Sequence, residues 1–353
     1  MAELVLAVPG DISAPTGGYR YDARVISELT GRGRSAKALA LPGDFPAPSE
    51  ASIETALKAL AGLPTDATLV IDGLAFGALP ADGIAALGRP VAALVHHPLA
   101  LETGLSAEGA ARLEASERAA LEKAALVIAT SEATRTILIE RFGVEPRRVR
   151  VAEPGVDPQP RAKGGGETPV VLSVGAVTPR KNHAALARAF GTLADLPWRW
   201  VIAGALDRDP ACAEALKREI EAAGIADRTD LLGAVDDDRL AQAFDGADVF
   251  ALPSRFEGYG MAVTEALARG LPVVAGRGEA AEALVTERAG ALVEPDDVEG
   301  LGEALRVLLE SPGARAKASN AARSRAARLP RWFQCADVFE HLMDRGLPPL
   351  TAT

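Results

Sequence analysis

The sequence predicts an α/β protein of two doubly wound parallel-sheet domains, on three observations. Its 353 residues exceed what one ordinary hydrophobic core organises. Short apolar runs alternate with amphipathic stretches, the pattern of strands buried on both faces by helices. The rhythm breaks once, at a Pro- and Gly-rich segment, and then restarts.

Six candidate strands occupy the first half: LVLAV (4–8), AKALAL (36–41), ATLVID (67–72), VAALV (91–95), LVIAT (126–130) and VRVAE (149–153). Amphipathic stretches such as 18–29 and 107–124 lie between them and supply the β-α alternation. DPQPRAKGGGETP (157–169) then concentrates Pro, Gly and charge, the composition of an exposed connection. Beyond it the rhythm restarts with VVLSV (170–174), WRWVIA (198–203), DLL (230–232), VFAL (249–252), PVVA (272–275) and ALV (291–293). The expected domains are 1–156 and 169–331, both Rossmann-like, with their strand C-terminal ends turned toward one shared crevice.

Composition narrows the function classes. Hydrophobic residues at 48% and charged residues at 24% argue for packed cores, and 4% aromatic content leaves Ala, Val and Leu to fill them. A net charge of -10 disfavours a polyanion binder, so no nucleic-acid partner is expected, while a locally basic pocket for a diphosphate stays open. Cys212 and Cys335 are too far apart in sequence for a metal-ligand or redox pair. The opening MAELVLAVPGD reads as a first strand, not a signal peptide, and nothing approaches the ~20 apolar residues of a membrane span. The expected location is cytoplasmic, with at most peripheral contact at the inner face of a membrane. A run of basic residues without an acid (Arg315, Lys317, Arg323, Arg325, Arg328, Arg331) reads as a solvated helix face, or more sharply as a surface for an anionic membrane or partner.

The most informative stretch is ADVFALPSRFEGYGMAVTEALARGLPVVA (247–275): strand, Pro-Ser turn, Gly-rich loop, helix, break, strand. Glu257 falls in the loop and Glu265 about a turn and a half into a helix starting near Gly260, so both carboxylates can face one ligand. The free N–H groups of Gly260, Met261, Ala262 and Val263 form a helix N-terminus suited to a phosphate, with Gly258 and Tyr259 in the loop before it. Carboxylates meanwhile accept sugar and ribose hydroxyls.

This passage resembles the family-4 glycosyltransferases (glycosyl transferases group 1), retaining enzymes of GT-B fold with an E-x7-E element in such a stretch. Several other segments carry the likeness. VLSVGAVTPRKNHAALARAF (171–190) is similar to the strand-loop-helix that presents basic side chains to a donor diphosphate, which implies Arg180 and Lys181 as its neutralising donors beside Gly175. Relatives place an arginine after the strand glycine, where this chain has Ala176. DISAPTGGYRYD resembles the opening Gly-Gly loop, with Gly17 and Gly18 letting backbone approach the diphosphate and acceptor side. VAALVHHPLALE places His96, with His97 beside it, where relatives carry a histidine lining the sugar pocket; a sugar or transition-state contact is expected, not a general base. Ser131 reads as a helix N-cap, and VAEPGVD (151–157) as the hinge into the second domain. RWFQCADVFEHLM (331–343) looks like the terminal helix that crosses back onto domain one, extending that domain by 332–353 and covering it with Trp332, Phe333, Val338, Phe339 and Leu342.

The resemblance implies a retaining transfer of a hexosyl group from a UDP- or GDP-sugar to a hydroxyl acceptor, in glycan, glycolipid or small-metabolite glycoside synthesis. Glu257 would hold the transferred sugar and Glu265 a ribose hydroxyl. The leaving diphosphate oxygen would take the acceptor proton. No cofactor or metal is expected, since Arg180, Lys181 and the helix terminus supply the positive charge; Asp236, Asp237 and Asp238 read as helix-start residues. Rival readings are a sugar-nucleotide epimerase or phosphorylase on the same frame, or a non-catalytic nucleotide-sugar-binding protein. A nicotinamide oxidoreductase is disfavoured because no Gly-x-Gly-x-x-Gly turn follows the first strand.

Overall fold

Apolar runs of this length are too short for a stable helix, so with helices available to cover the sheet they form parallel strands. All twelve expected runs do so. The computed structural model describes residues 3–164 and 166–349, which fall into two units: Met1–Gly155 with Pro330–Thr353, and Val156–Leu329.

Unit one runs β1 (Leu4–Pro9), α1 (Gly17–Gly31), β2 (Ala36–Leu41), α2 (Glu50–Ala61), β3 (Thr68–Asp72), α3 (Gly73–Phe76), α4 (Ala81–Ala85), β4 (Ala92–Val95), α5 (Ala107–Glu122), β5 (Leu126–Ala129), α6 (Glu132–Glu140) and β6 (Val149–Val151). Its sheet order is β2-β1-β3-β4-β5-β6, with Leu4 of β1 paired to Ala36 on one side and Thr68 on the other. The winding direction reverses between β1 and β3, so loops leaving those strands diverge and open a crevice. Ser131 caps α6, accepting from the Thr134 N–H at 2.9 Å.

Unit two runs β7 (Val170–Val174), α7 (His183–Gly191), β8 (Arg199–Ala203), α8 (Pro210–Ala222), β9 (Thr229–Gly233), α9 (Asp237–Asp245), β10 (Val249–Leu252), α10 (Met261–Ala268), β11 (Val273–Gly276), α11 (Glu279–Leu284), β12 (Gly290–Val293), α12 (Val298–Glu310) and α13 (Pro312–Ala326). The order is β12-β11-β10-β7-β8-β9, the Rossmann order, reversing between β7 and β10. The two faces carry separate cores. On one, Phe190 packs against Trp198 and Trp200 with centroids 4.5 and 5.0 Å away; on the other, Phe244 stacks on Phe250. Unit one is thus not Rossmann in order: its second strand sits at the edge and the third beside the first. Apolar runs alone do not distinguish the two windings.

Two further expectations are refined. The 157–169 segment is not simply a solvated connection, because Ala162 N–H donates to Arg269 O at 2.9 Å and Lys163 N–H to Asp245 O at 2.8 Å, which ties it to unit two. Gly165 of that run lies outside the described residues. The basic run keeps Lys317, Arg323 and Arg328 exposed, as a solvated face expects, but part of it is also used internally. Arg315 donates to Leu308 O and Leu309 O, Arg323 to Ala268 O, and Arg325 to Leu284 O, so three guanidinium groups cap the C-terminal carbonyls of α12, α10 and α11.

The last helix, α14 (Trp332–Arg345), packs on α1 of unit one. Its buried stripe is Trp332, Cys335, Ala336, Phe339, Leu342 and Met343, a helical i, i+3, i+4, i+7 series. Phe333 lies off that stripe and is 54% exposed, so it does not cover the domain as expected; Val338 is half-buried. Tyr21 of α1 meets Trp332 and Phe339 and donates its hydroxyl to Ala152 O at 2.8 Å. Arg32 adds ion pairs to Asp337 and Glu340, both at 2.7 Å. Among the described residues no helix is long and apolar enough to cross a membrane.

Where the chain leaves unit one and where it returns lie side by side. A Cβ on Gly155 would sit 2.0 Å from the backbone N of Trp332, so only glycine fits. Gly155→Ala is expected to displace the start of α14 and cost about 1–3 kcal/mol or more. Urea unfolding checks this; unchanged stability would show that the two passes are loosely packed.

Candidate active site

The reversal between β7 and β10 brings two loops together, and the expected donor-binding residues sit on them. Gly175 follows β7 at φ +150°, and a Cβ there would lie 3.1 Å from Lys181 Cε, so its lack of a side chain lets the lysine stem pass. Arg180 and Lys181 occupy the loop before α7, followed by Asn182 in the left-handed region, whose side chain donates to Pro295 O at 2.6 Å. Across the crevice, Glu257 lies in the loop after β10. Lys181 Nζ is 2.5 Å from Glu257 Oε1, and Arg180 Nη1 is 3.6 Å from Oε2 and donates to Phe256 O at 3.0 Å. Residues read from two separate stretches of sequence therefore form one charged cluster.

That cluster is more enclosed than a surface pair. Side-chain exposures are 22% for Arg180, 14% for Lys181 and 17% for Glu257. Burial alone would push the Glu257 carboxyl up, yet the charges of Lys181 and then Arg180 outweigh it and hold the group below its ordinary value. The carboxylate is thus ionised at neutral pH, and its pairing weakens only as pH falls through that lowered value. His183, buried beside them, is pushed down to about 3 by burial first and the Lys181 charge second, so it stays neutral.

Helix α10 begins at Met261, one residue later than expected, with Gly260 as N-cap at φ +100°. A side chain there would be strained and would meet Leu284 Cδ1 at 3.2 Å. Met261 and Ala262 are the first helical residues, whose N–H groups have no carbonyl within the helix. Tyr259 is buried in the core, Gly258 is half-buried in the loop before it, and Glu265 is half-buried in the second turn. Asp236 caps α9, accepting from Arg239 N–H at 2.8 Å, with Asp237 and Asp238 in its first turn, as read from sequence.

Unit one has its own charged cluster at its own reversal. Gly17 and Gly18 open α1, and a Cβ on Gly18 would lie 3.3 Å from His96 Cδ2, whereas Gly17 has open space. His96, at the tip of β4, points Nε2 at Asp22 Oδ1 (3.0 Å) and Asp72 Oδ2 (3.4 Å). His97 turns elsewhere, with Nε2 3.9 Å from Glu102. Sequence reading missed Asp22 and Asp72. The signal was present: ATLVID ends its strand on an acid at the reversal, and Asp22 lies one helical turn past the Gly-Gly pair.

The fold, with a Rossmann-ordered sheet bearing a cation pair at its reversal and a second parallel sheet in unit one, defines the GT-B class of glycosyltransferases. Model families agree: residues 158–325 match "Glycosyl transferases group 1" and residues 45–160 match "Glycosyltransferase Family 4". The chain belongs to this family and is a glycosyltransferase. Among curated relatives, it is 29% identical over 318 residues to the MMP alpha-(1->4)-mannosyltransferase of Mycolicibacterium hassiacum, covering 83% of this chain and 74% of that one. It is 32% identical over 272 residues to D-inositol 3-phosphate glycosyltransferase 2 of Catenulispora acidiphila, covering 72% of this chain but only 63% of that protein. Among solved structures, sucrose-phosphate synthase of Thermosynechococcus elongatus superposes with TM-score 0.79 at 19% identity, covering 97% of this chain and 98% of that one. Anabaena Alr3699/HepE in complex with UDP-glucose superposes with TM-score 0.76 at 18% identity, covering 97% and 99%.

A buried acid holds the turn that follows His96 and His97. Glu117 of α5 is 1% exposed and accepts from the Leu99 N–H at 2.9 Å, while its Oε1 has no partner. Burial, partly offset by backbone donors, pushes its carboxyl up to about 8. The folded chain therefore holds this proton more tightly than the unfolded chain. The stabilisation is complete below pH 4.5 and is lost as pH rises from there to about 8. The loss is on the order of 3 to 5 kcal/mol. Glu117→Gln is expected to flatten that part of the stability profile, because glutamine keeps an acceptor for Leu99 and carries no charge. Urea unfolding of both proteins at acid and alkaline pH checks this; parallel profiles would show that Glu117 ionises freely.

Proposed function

We propose that the chain transfers a hexosyl group, with retention, from a nucleoside diphosphate sugar such as a UDP- or GDP-sugar to a hydroxyl acceptor. The observation that carries the reading is the meeting of Arg180, Lys181 and Glu257 at the β7/β10 reversal, beside the N-terminus of α10. A diphosphate leaving group gains negative charge as the glycosidic bond breaks. Two fixed cations and unpaired helix N–H groups stabilise that charge without reorganising. Arg180 suits bidentate contact with phosphate oxygens, and Lys181 acts as a point charge. Glu257, anchored by both, offers its carboxylate to sugar hydroxyls, and Glu265 is assigned to the ribose. In the retaining route the acceptor attacks from the face the diphosphate leaves, and a diphosphate oxygen takes its proton. The named activities of relatives support transfer of a sugar, and the UDP-glucose bound by the Anabaena structure supports a nucleotide-sugar donor.

Since the cations do the neutralising in this reading, a chelator is expected to leave transfer unchanged. Replacing Arg180 and Lys181 together with alanine should remove transfer and nucleotide binding; activity within about threefold of the parent would place the diphosphate elsewhere. Glu265→Ala is expected to weaken donor binding and Glu257→Gln mainly to slow turnover, each by roughly 10- to 150-fold, the worth of one charged hydrogen bond. Steady-state kinetics on the purified chain, following release of the nucleoside diphosphate, separates the two effects.

A further inference from the structure

The imidazole of His96 is gripped on several sides. Tyr21 meets it edge-on, with centroids 5.0 Å apart and planes at 80°, and Gly18 backs the ring. Its Nε2 faces two carboxylates that are themselves buried, Asp22 at 0% and Asp72 at 1% exposure. Asp72 Oδ1 accepts from Leu74 N–H at 2.8 Å, while Asp22 Oδ2 has no partner. Neither acid pairs with lysine or arginine among the described residues, so the imidazole is the one cation available to separate them. Nε2 is committed inward, and Nδ1 is the ring nitrogen left for a ligand.

We infer that Asp22 and Asp72 are positioning residues that hold His96 as a cationic imidazole, with Nε2–H donated inward and Nδ1–H presented to a ligand oxygen. A neutral ring bound to Asp22 through Nε2–H would offer Nδ1 as an acceptor and a base. The cationic ring instead donates, selecting a phosphate oxygen or a hydroxyl lone pair and excluding general-base work at neutral pH. The chemistry of the surroundings agrees. Burial alone would lower the imidazole, but the charge and hydrogen bond of Asp22 and the charge of Asp72 outweigh it and raise it. Asp72 is pushed up by burial first and the Asp22 charge second, and Asp22 is both the nearer carboxylate and the stronger influence on the imidazole. The other titratable groups here stay neutral: burial keeps the Tyr21 hydroxyl well above its ordinary value, and the Cys335 thiol of α14, which touches it, is pushed up to about 12. The cation is held below the raised imidazole value and lost as pH climbs through it.

The identity of the ligand oxygen rests on the transferase reading; the protonation state does not. The test is 15N-histidine NMR of the full chain from about pH 5.5 to 9. Four histidines give four pairs of ring-nitrogen signals, and His96→Gln assigns one pair. Both ring nitrogens of His96 are expected to be protonated at neutral pH, with a midpoint above the ordinary 6.5. Asp22→Asn should lower that midpoint by about 1 to 3 pH units and shift the alkaline limb of the transfer profile with it. Should Asp22→Asn fail to fold, Asp72→Asn makes the same test with a smaller shift. A neutral His96 at pH 7 in the parent, or a midpoint unmoved by either variant, overturns the inference. So does a stoichiometric divalent ion found by elemental analysis and lost in Asp22→Asn, which would make these three groups metal ligands. If the shift appears but no nucleotide sugar is turned over, the positioning role stands and the transferase reading fails.

Discussion

The ion pair between Lys181 and Glu257 is the contact on which the unit-two site depends. Two cations beside the positive end of a helix repel one another and cannot be gathered in a half-buried crevice unaided. Glu257 resolves this by accepting from Lys181 at 2.5 Å while lying 3.6 Å from Arg180, and their charges keep it ionised despite its burial. Everything around the pair serves to place it. Gly175 clears the lysine stem, Asn182 pins the loop to residues 295 and 296, and Gly260 turns the chain sharply enough to start α10 beside the acid. An anionic ligand meets cations already oriented, which is the preorganisation that stabilisation of a leaving diphosphate requires.

Unit one solves the opposite problem with the opposite charges. At its reversal two buried acids, Asp22 and Asp72, converge, and the counter-charge is a histidine. Each unit thus stores a compensated charge cluster where its sheet changes direction, because that is where diverging loops leave room for polar groups beyond an otherwise apolar sheet. The strand orders differ, yet in both units the reversal lies beside the first strand of the sheet, β1 or β7. The acid-rich cluster of unit one and the cation-rich cluster of unit two then suit different ligand atoms.

Much of this was legible in sequence because strand formation here depends on local composition. Runs such as LVLAV and VFAL have no alternative to a buried strand, and they emerge within a residue or two of their expected ends. The E-x7-E passage was legible because glycines, acids and a helix start fall at fixed offsets. What was not legible depends on distance in the chain. Asp22 and His96 are 74 residues apart, and nothing local marks them as partners. The internal bonds of the basic run were not legible for a related reason: Arg315, Arg323 and Arg325 donate to carbonyls that only the folded packing brings near. Phe333 was assigned to a buried face because hydrophobicity alone does not fix the phase of a helix, and Trp332 and Phe339 set that phase.

The central claim is that the diphosphate of a nucleotide sugar is held in unit two by Arg180, Lys181 and the start of α10. A crystal structure of the chain with UDP or GDP tests it most directly. The account predicts phosphate oxygens within hydrogen-bonding distance of Arg180 Nη, Lys181 Nζ and the Met261 or Ala262 N–H, with Glu257 still beside Lys181. Phosphate density away from these groups, or a nucleotide bound with Arg180 and Lys181 turned from it, would contradict it.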